Sequence, residues 1–575
     1  MKLVPLQIAE VFSPVINQIA GRDVPVVSLI KPCLDAQFGD YQCNIAMVLA
    51  KELKRNPREL AEQIIKETDL TAICEPLEIA GAGFINLRLR KDFLASCLTR
   101  MVTEQNLGVD KTEKPKKIVI DFSSPNVAKQ MHVGHIRSTI LGDTLASILR
   151  FSGHEVITDN HIGDWGTQFG KLLLGYKNDL DKAALDRDPI AELERLYKLV
   201  NDQCEKEKKE EKSETIHAAR EELRKLQDGD CENLELWERF IEMSKGSFDR
   251  IYTRLGVRFD YTLGESFYNP KLKAVVQELI AAQIARESEG AIVVFFDGEK
   301  ELGDKPFLIQ KSDGAALYST TDLATLKYRM EEWKADEIIY VTDSRQQLHF
   351  KQLFATAKKW GIDVKLTHVC FGTILGPDNK PIKTRSGEPV KLVDLLDEAE
   401  ARAAKLIETK GEFTDDTKKQ IARVVGIGSL KYADIGQNRT LDYVFDWDKL
   451  LSLNGNTAPY LQNAYARIQS IFRKGQVELS GVPEWELVEP QEITLGKHLL
   501  RFGELLQVVV EDYRPHVMCT YLFELAQMYH SFYEHCPVLK SEGNLRESRL
   551  HLCELTAKTL QTGLALLGIE TVEQM

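Results

Sequence analysis

The chain has 575 residues, of which 43 % are hydrophobic and 28 % charged, and its formal net charge is −13. At roughly 150 residues per domain, this length predicts about four domains. The composition is that of an ordinary soluble protein, without an N-terminal signal pattern or an apolar run long enough to span a bilayer. We therefore expect a cytoplasmic protein that makes no membrane contact.

The cysteines and the net charge narrow the classes of protein further. The ten cysteines, from Cys33 to Cys553, are scattered without a C-x-x-C pair, which argues against both a zinc ribbon and a disulfide framework. A negative net charge ordinarily argues against a nucleic-acid partner, because phosphate binding requires positive surface. Local basic stripes at 51–55 and 88–91 nevertheless leave such a partner open.

The first predicted unit runs from residue 1 to about 112. It mixes helical periods with the strand-like run Gly83-Phe-Ile-Asn-Leu-Arg-Leu, and a polar linker that contains proline follows at 110–115. This pattern predicts a separate α+β domain.

A β-α-β unit is predicted at 116–160. It begins with a β-branched strand at 117–122, and apolar residues then recur at helical spacing between 136 and 149. Ser152-Gly153 ends this helix before a second strand at 155–158. His132 and His135 therefore fall at the first turn of the helix.

A long insertion and a second half follow. The insertion, from about 175 to 260, includes the charged run Glu205-Lys-Glu-Lys-Lys-Glu-Glu-Lys, which predicts a solvated helix. A strand at 336–342, a helix at 347–360 and a strand at 364–371 form the second half. Two such halves predict an α/β fold with a doubly wound parallel sheet and a ligand crevice at the carboxyl ends of its strands. From about 395 the pattern is almost entirely helical, with long amphipathic runs at 496–534 and 546–568.

The two histidines form a candidate phosphate site. A helix N-terminus favours phosphate because its free N–H groups carry partial positive charge, and Gly134 lets a flat ligand approach the backbone. His132 and His135 are three residues apart, so they share a helical face and can both donate to one phosphoryl group. A lone histidine here would more often be incidental, but the pair with glycine at a helix start favours a site. The P-loop and G-x-G-x-x-G patterns are absent from the sequence, which excludes a P-loop NTPase and an ordinary dinucleotide enzyme.

These strings resemble a known family. His132-Val-Gly-His135 resembles the HIGH signature of class I aminoacyl-tRNA synthetases. The longer string SPNVAKQMHVGH at 124–135, with NHIGDWGTQFG at 160–170, resembles arginyl-tRNA synthetases in particular. The run at 83–87 resembles the extra N-terminal domain of that family, and the segments at 455–462 and 555–560 resemble its helical anticodon-binding domain.

The resemblance implies a domain organisation. It implies a Rossmann-type class I synthetase catalytic domain at 113–394, with its insertion at about 175–260, between two other kinds of domain. The α+β N-terminal domain at 1–112 is expected to contact the tRNA D-loop. A helical stem-contact region at 395–450 and an all-α anticodon-binding domain at 451–575 complete the expected chain.

The resemblance also implies an arginine pocket. A guanidinium has five donors and no acceptor, so it calls for a carboxylate and for other oxygens. Tyr318 and Asp322 are four apart and share a face if helical, and with Gln346 they resemble the family's pocket for this group. Taken alone, the pair would more often be an exposed helix face with a packed ring. The residues expected to hold the amino and carboxylate end are Ser124, Asn126, His135 and Asn160.

The cations expected to bind the ATP phosphates depart from the family pattern. The KMSK loop of class I synthetases corresponds here to 376–387, where proline stands in place of the first lysine. Lys380, Lys383 and Arg385 remain, and Lys129 is a candidate for the missing charge. A solvent-facing basic loop is the alternative. The residues expected to bind ATP are His132, Gly134, His135, Lys129 and Lys380.

Candidate tRNA contacts lie outside the catalytic domain. Phe84 and Asn86 are two apart in a strand-like run, so they share a face where a ring can stack on a base and an amide can read its edge. The alternative is a core phenylalanine beside a turn asparagine. Tyr460 and Gln462 are the candidates in the anticodon-binding domain.

The resulting expectation is ATP-dependent activation of L-arginine and its transfer to the 3′ end of tRNA(Arg). Mg²⁺ is expected to accompany ATP without a tightly bound protein metal site, in a monomeric enzyme. A small nucleotidyltransferase with the same histidine site is one rival, but it would not need some 300 flanking residues. An RNA-binding paralogue without activation is the other rival. The altered lysine loop favours it, and the intact set of His132, His135, Tyr318, Asp322 and Gln346 opposes it.

Overall fold

The described part of the chain folds into strands and helices arranged around a central parallel sheet. It comprises residues 2–33, 35–302, 305–383, 389–408, 413–479 and 481–575 of the computed structural model. The strands are β1 (Ile30–Pro32), β2 (Tyr41–Cys43), β3 (Glu78–Ala80), β4 (Phe84–Leu87), β5 (Lys117–Asp121), β6 (Glu155–Asp159), β7 (Ala285–Ser288), β8 (Ala291–Val294), β9 (Phe307–Gln310), β10 (Glu337–Tyr340), β11 (Lys365–His368), β12 (Ile374–Leu375) and β13 (Tyr443–Val444).

The helices connect and cover these strands. They are α1 (Val4–Ala20), α2 (Ile45–Leu53), α3 (Pro57–Glu67), α4 (Lys91–Thr103), α5 (Val133–Phe151), α6 (Gln168–Asp179), α7 (Lys182–Arg187), α8 (Pro189–Lys209), α9 (Glu214–Gln227), α10 (Cys231–Leu255), α11 (Glu265–Ala281), α12 (Tyr318–Glu331), α13 (Gln347–Lys359), α14 (Leu392–Glu408), α15 (Asp415–Ile435), α16 (Trp447–Leu450), α17 (Ala458–Gly475), α18 (Pro490–Leu500), α19 (Phe502–Asp512), α20 (His516–His535) and α21 (Gly543–Leu566).

The N-terminal unit combines an antiparallel sheet with helices. Its strand order is β1-β2-β4-β3, and α1, α2 and α3 pack beside it. Ile85 and Leu87 of β4 are fully buried, as are Ile8 and Phe12 of α1. Since the antiparallel strands and the helices share one apolar interior, the predicted α+β class is confirmed.

The central sheet has the strand order β11-β10-β5-β6, with every neighbouring pair parallel. The inner residues Val119, Ile120, Ile338 and Ile339 are fully buried, as expected for strands covered on both faces. α5 connects β5 to β6, and α13 connects β10 to β11. The predicted doubly wound sheet is therefore confirmed, although β10 and β11 are shorter than their apolar runs.

A second, antiparallel sheet lies between the two halves and was not predicted. It has the order β7-β8-β9 and spans 285–310. Each strand has four residues, and burial alternates in β9 but not in β7 or β8, so the strands leave little periodic signal in the sequence. This sheet matters for the site because β9 leads into α12.

The insertion is helical, from α6 to α10. The charged run at 205–212 is helical only as far as Lys209, where α8 ends. Cys204 is the last buried residue of α8, and no apolar residue follows it in the run. The helix therefore has nothing further to pack against the neighbouring helices, and the chain turns.

Where the structure describes it, the C-terminal region is helical from α14 to α21 apart from connecting segments and the two-residue strand β13. The run at 496–534, predicted as one pattern, is divided into α18, α19 and α20. Tyr513 adopts a left-handed φ of 54° at the end of α19, and Pro515 then begins the next helix because it has no N–H to continue the previous one. The run at 546–568 forms α21.

One continuous apolar core links the three regions. The buried residues of this cluster extend along the chain from Val4 to Ile569. α5, which carries the histidines, packs against α14, α15, α19 and α21, so the site is built on a helix that the C-terminal helices hold. Within the described residues, no helix has the length and apolar character required to cross a membrane.

Candidate active site

The candidate residues gather at the carboxyl edge of the central sheet. Because β5, β6 and β10 are parallel, the segments that follow them leave the sheet on the same side. Ser124 follows β5, Asn160 follows β6, and Gln346 follows β10. This arrangement brings together residues that are more than 200 positions apart in the sequence.

Two histidines cap the first turn of α5. The N–H of Gly134 donates to Nδ1 of His132, and the N–H of His132 donates to Nδ1 of His135, both at 3.1 Å. The two rings lie 4.0 Å apart, centroid to centroid. Because each Nδ1 accepts a backbone hydrogen bond, the ring proton of both neutral imidazoles lies on Nε2, where it can be donated to a ligand.

Both histidines are neutral at physiological pH. Burial lowers the pKa of His135 to about 3, and the neighbouring His132 lowers it further. Burial also lowers the pKa of His132, with smaller contributions from the charges of Lys129 and Arg345. The histidine turn therefore offers two hydrogen-bond donors without adding positive charge.

The loop after β5 is strained and held from β6. Ser123 and Ser124 have φ values of 70° and 48°, a conformation that residues other than glycine rarely adopt and that clusters at functional sites. The N–H of Ser124 donates to Oδ1 of Asn160 at 3.0 Å, and the Asn160 amide donates to the Tyr252 hydroxyl at 3.2 Å. Asn126 is exposed on the same loop. The buried Asn160 thus acts as a support for Ser124.

Tyr318 and Asp322 lie one turn apart on α12. Nε2 of His349 lies 2.6 Å from Oδ2 of Asp322, and the rings of Tyr318 and His349 are 5.1 Å apart. Tyr318 is 64 % exposed, so its ring stands at the surface of the site. Gln346 is exposed just before α13, the helix that carries His349.

Two functional candidates were missed by sequence reasoning. His349 fixes the Asp322 carboxylate, and it lies three residues after Gln346, a helical spacing that was available as a signal. Glu265, at the start of α11, is half-buried. Burial raises its pKa to about 7 against an opposing effect of His161, and the carboxylates of Asp164 and Asp322 raise it further. No local pattern marks Glu265, because only the fold brings it close to Asp322.

The candidate cations lie on two exposed segments. Lys129 precedes the histidine turn, with its ammonium 5.4 Å from the centre of the Tyr197 ring. Lys380 and Lys383 are exposed, whereas Arg385 lies outside the described residues. Among the described residues, no cluster of three or more His, Cys, Asp or Glu side chains is arranged to hold a metal ion.

The lysine segment is a hairpin attached to the histidine turn. The N–H of Gly376 donates to the carbonyl of Lys380 at 2.7 Å, which closes the hairpin after β12. Further along the chain, just before α14, the carbonyl of Val390 accepts a hydrogen bond from the N–H of Val133 at 2.9 Å. The backbones of Lys391 and His132 also form an isolated antiparallel β-bridge. The backbone therefore connects the segment that follows the lysines to the histidine turn.

The candidate tRNA contacts differ in their accessibility. Phe84 is half-buried, and Tyr460 is half-buried with its ring 5.4 Å from that of Phe523. Asn86 is only 7 % exposed, and its carbonyl oxygen accepts from the Gln42 amide at 2.8 Å. Gln462 is fully buried and its amide donates to the carbonyls of Val424 and Glu570. This corrects the prediction for Gln462, since its donor group is used inside the core.

Three family models match successive parts of the chain. Residues 6–89 match the arginyl tRNA synthetase N terminal domain, residues 97–447 match the catalytic domain of class I tRNA synthetases (R), and residues 461–575 match the DALR anticodon binding domain. The catalytic model alone covers more than half of the chain.

Relatives and solved structures agree with these matches over the full length. The chain is 44 % identical to an arginine–tRNA ligase of Picosynechococcus sp., with 100 % of both chains covered. It resembles the arginyl-tRNA synthetase structures of Plasmodium falciparum (TM-score 0.85, 31 % identity) and Thermus thermophilus (TM-score 0.84, 26 % identity), again with 100 % of each chain covered. The chain therefore belongs to the arginyl-tRNA synthetase family of class I aminoacyl-tRNA synthetases, and its reaction is the ATP-dependent joining of arginine to tRNA(Arg).

Proposed function

We propose that the face formed by α11, α12 and α13 recognises the guanidinium of arginine. The observation that carries this proposal is the Asp322 carboxylate, held at 2.6 Å by His349 and close to the second carboxylate of Glu265. The charge of Asp322 contributes to the raised pKa of Glu265, and a bound guanidinium relieves such repulsion by pairing with the carboxylates. Tyr318 and Gln346 line the same face and orient the guanidinium plane.

The opposite end of the substrate is bound by the strand-end loops. Ser124, Asn126 and His135 are assigned to the α-amino and carboxylate groups, and Asn160 is assigned to this end of the pocket as the support of Ser124. The support for this assignment is the hydrogen bond from Ser124 to Asn160, which ties the two loops together. Such a site also rejects amino acids without a guanidinium, because its buried acceptors would remain unpaired.

The ATP phosphates are assigned to the histidine turn and the cations around it. His132 and His135 donate to the α-phosphate, Gly134 lets the phosphate approach the backbone, and Lys129, Lys380, Lys383 and Arg385 supply positive charge. The support is the neutral Nε2–H of each histidine and the backbone attachment of the lysine hairpin to this turn. Preorganised donors of this kind stabilise charge as it develops on phosphate oxygens.

The chemistry proceeds in two displacements. A carboxylate oxygen of arginine attacks the α-phosphorus of ATP, the bond to the bridging oxygen breaks, and pyrophosphate leaves with the electron pair. A hydroxyl of the terminal tRNA ribose then attacks the arginyl carbonyl carbon, loses its proton, and displaces AMP. Mg²⁺ is assigned to the ATP phosphates, because this ion binds through substrate oxygens and retains several waters.

The domains are assigned to separate parts of the tRNA. We assign 1–112 to the D-loop, 395–450 to the acceptor stem and 451–575 to the anticodon, with 113–394 as the catalytic domain and its insertion at about 175–260. Phe84 and Tyr460 are the proposed contacts, supported by their partial exposure. The enzyme is proposed to act as a monomer in the cytoplasm, which light scattering and cell fractionation would test. The free cysteines of the described chain support a reducing compartment.

The decisive experiment is Asp322→Ala with steady-state kinetics for both small substrates. Loss of a charged hydrogen-bonding partner is expected to raise the KM for arginine about 10- to 100-fold with little change in the KM for ATP. Glu332→Ala is the matched control, since Glu332 is an exposed acid at the end of the same helix. Equal changes in both KM values would refute the assignment of Asp322.

A further inference from the structure

A fully buried arginine lies beneath the site at the meeting point of one helix and three strands. Arg329 belongs to α12, and its Nη2 lies 2.7 Å from Oδ2 of Asp121 and 2.7 Å from Oδ2 of Asp159. Its guanidinium also lies 5.6 Å from the centre of the Tyr340 ring. These three partners are the last residues of β5, β6 and β10, so one side chain ties α12 to the edge of the central sheet.

Both aspartates are connected to the residues assigned to the amino end of arginine, Asp121 by a hydrogen bond and Asp159 through the chain. Oδ1 of Asp121 accepts from the Ser124 hydroxyl at 3.0 Å, while its Oδ2 faces Arg329. Asp159 immediately precedes Asn160, whose amide oxygen holds the N–H of Ser124. A displacement of Arg329 would therefore be transmitted to Ser124 along two covalent and hydrogen-bonded connections.

The same helix carries the carboxylate assigned to the other end of arginine. Asp322 lies seven residues before Arg329, which is close to two helical turns, so both side chains project from the same side of α12. The helix separates them by about 10 Å along its axis. Because a helix of hydrogen-bonded backbone is stiff, fixing Arg329 fixes the distance from Asp322 to the strand-end loops.

The composition of this cluster indicates a geometric purpose. The Arg329 guanidinium and the hydroxyls of Tyr268 and Tyr340 are buried, and removing these polar groups from water costs free energy. Buried ion pairs are also weak contributors to stability compared with apolar packing of similar volume. A cluster with these costs is better explained by the fixed position that two carboxylates impose on a planar guanidinium.

We propose that Arg329 is a positioning residue that sets the distance between Asp322 and the Ser124–Asn160 pair, and thereby selects the amino acid by its length. The inference rests on the proposed roles of Asp322, Ser124 and Asn160. It adds a residue that touches no substrate and determines which chain length fits between the two ends of the pocket.

The test compares substrates of different length in Arg329→Lys, which keeps the charge and loses the planar fork. Homoarginine is one methylene longer than arginine, whereas canavanine has the same length. One methylene typically changes specificity by about 10- to 200-fold. We expect the ratio of kcat/KM for arginine over homoarginine to fall about tenfold or more, while the ratio of arginine over canavanine stays within about twofold. The KM for ATP should remain unchanged.

A second variant keeps the test decisive if Arg329→Lys does not fold. Asp159→Asn leaves the 1:1 pair of Arg329 with Asp121. It should likewise lower the arginine-over-homoarginine ratio and leave the arginine-over-canavanine ratio within about twofold. Lys327→Gln is the matched control, because Lys327 lies on the same helix and pairs at 2.6 Å with Glu278 of α11 instead of with the sheet. Circular dichroism and the melting temperature establish that each variant is folded.

The outcomes separate this proposal from the one it rests on. If folded Arg329→Lys or Asp159→Asn lowers kcat/KM equally for all three substrates, Arg329 is structural and the length selection is refuted. If Asp322→Ala leaves the KM for arginine unchanged, the arginine pocket itself is wrongly assigned, and the length selection falls with it. If the arginine-over-homoarginine ratio changes in the Arg329 and Asp159 variants but not in Lys327→Gln, the result supports both the arginine pocket and the length selection by Arg329.

Discussion

Glu265 carries the ionisation that we expect to control arginine binding near neutral pH. Burial raises the pKa of Glu265 to about 7. The charges of Asp164 and Asp322 also raise this pKa, whereas His161 lowers it. A guanidinium is bound by the ionised carboxylate, so binding should weaken as Glu265 takes up a proton. We expect the KM for arginine to rise as the pH falls below about 7, approaching tenfold per pH unit.

The controls for this pH dependence are available in the same site. Glu265→Gln should give a KM for arginine that is high at every pH and nearly flat between pH 6 and 8. His135 cannot produce the same slope, since burial places its pKa at about 3 and it stays neutral throughout this range. A slope that persists in Glu265→Gln would show that another group is responsible.

Phe84 and Asn86 lie on the same strand but should respond differently to substitution. Phe84 is half-buried in β4, and loss of a stacking ring in Phe84→Ala should weaken tRNA binding by about 1 to 3 kcal/mol. Asn86 is buried and bonded to Gln42, so Asn86→Ala should lower stability by about 1 kcal/mol and leave tRNA affinity nearly unchanged. Filter binding and thermal unfolding measure the two effects. Unchanged tRNA affinity in folded Phe84→Ala would identify a core residue.

Individual site residues differed in how far the sequence predicted them. His132 and His135 were placed correctly at the first turn of α5, because spacing, glycine and strand position all indicate it. Glu265 was missed because nothing nearby in the sequence distinguishes it from an ordinary first-turn acid. Gln462 was assigned to tRNA because its string matches the family, and the string does not distinguish an exposed amide from one that joins helices in the core.

At the scale of elements, the lysine hairpin and the histidine turn form one unit. The backbone hydrogen bond from Val133 to Val390 and the β-bridge between His132 and Lys391 connect the segment after the hairpin to the histidine turn. Lys380→Ala and Lys129→Ala should each lower kcat more than they raise the KM for ATP, because charge on the phosphates increases in the transition state. Lys383→Ala should act in the same direction. Normal turnover in all three variants would show that the charge comes from elsewhere.

The elements that the sequence predicted are those with a strong period or a clear stop. β5, α5 and β6 follow from an apolar strand, a helical period and the Ser152-Gly153 stop, and the helix at 347–360 matches α13. The sheet of β7, β8 and β9 was missed because four-residue strands carry too few residues to show a period. In the run at 496–534, the break between α19 and α20 depends on the left-handed turn at Tyr513 and on Pro515, and the break between α18 and α19 lies at Arg501; both interrupt an otherwise continuous apolar pattern.

At the scale of the molecule, the catalytic helix is connected to the C-terminal helices by buried charge. Nε of Arg137, on α5, lies 2.8 Å from Oδ1 of Asp434 on α15, and both side chains are almost completely buried. Nη1 of Arg137 also donates to the carbonyl of Gly372 at 2.7 Å, just before β12 and the lysine hairpin. One guanidinium therefore joins the histidine helix, the base of the hairpin and the helical region. A change in the position of α15 would therefore be transmitted both to the histidine turn and to the lysine hairpin, the two groups proposed to bind ATP.

This connection leads to a prediction about the order of the reaction. In the free enzyme the histidines are neutral, and proline replaces the first lysine of the loop, so the ATP phosphates are incompletely neutralised. Binding of tRNA to the helical region supplies free energy that can assemble the site. We expect arginine-dependent exchange of pyrophosphate into ATP to be negligible alone and to rise at least about tenfold with tRNA(Arg). A tRNA for another amino acid is the matched control, and it should not stimulate exchange. Equal exchange with and without tRNA(Arg) would mean that the site is already assembled in the free enzyme.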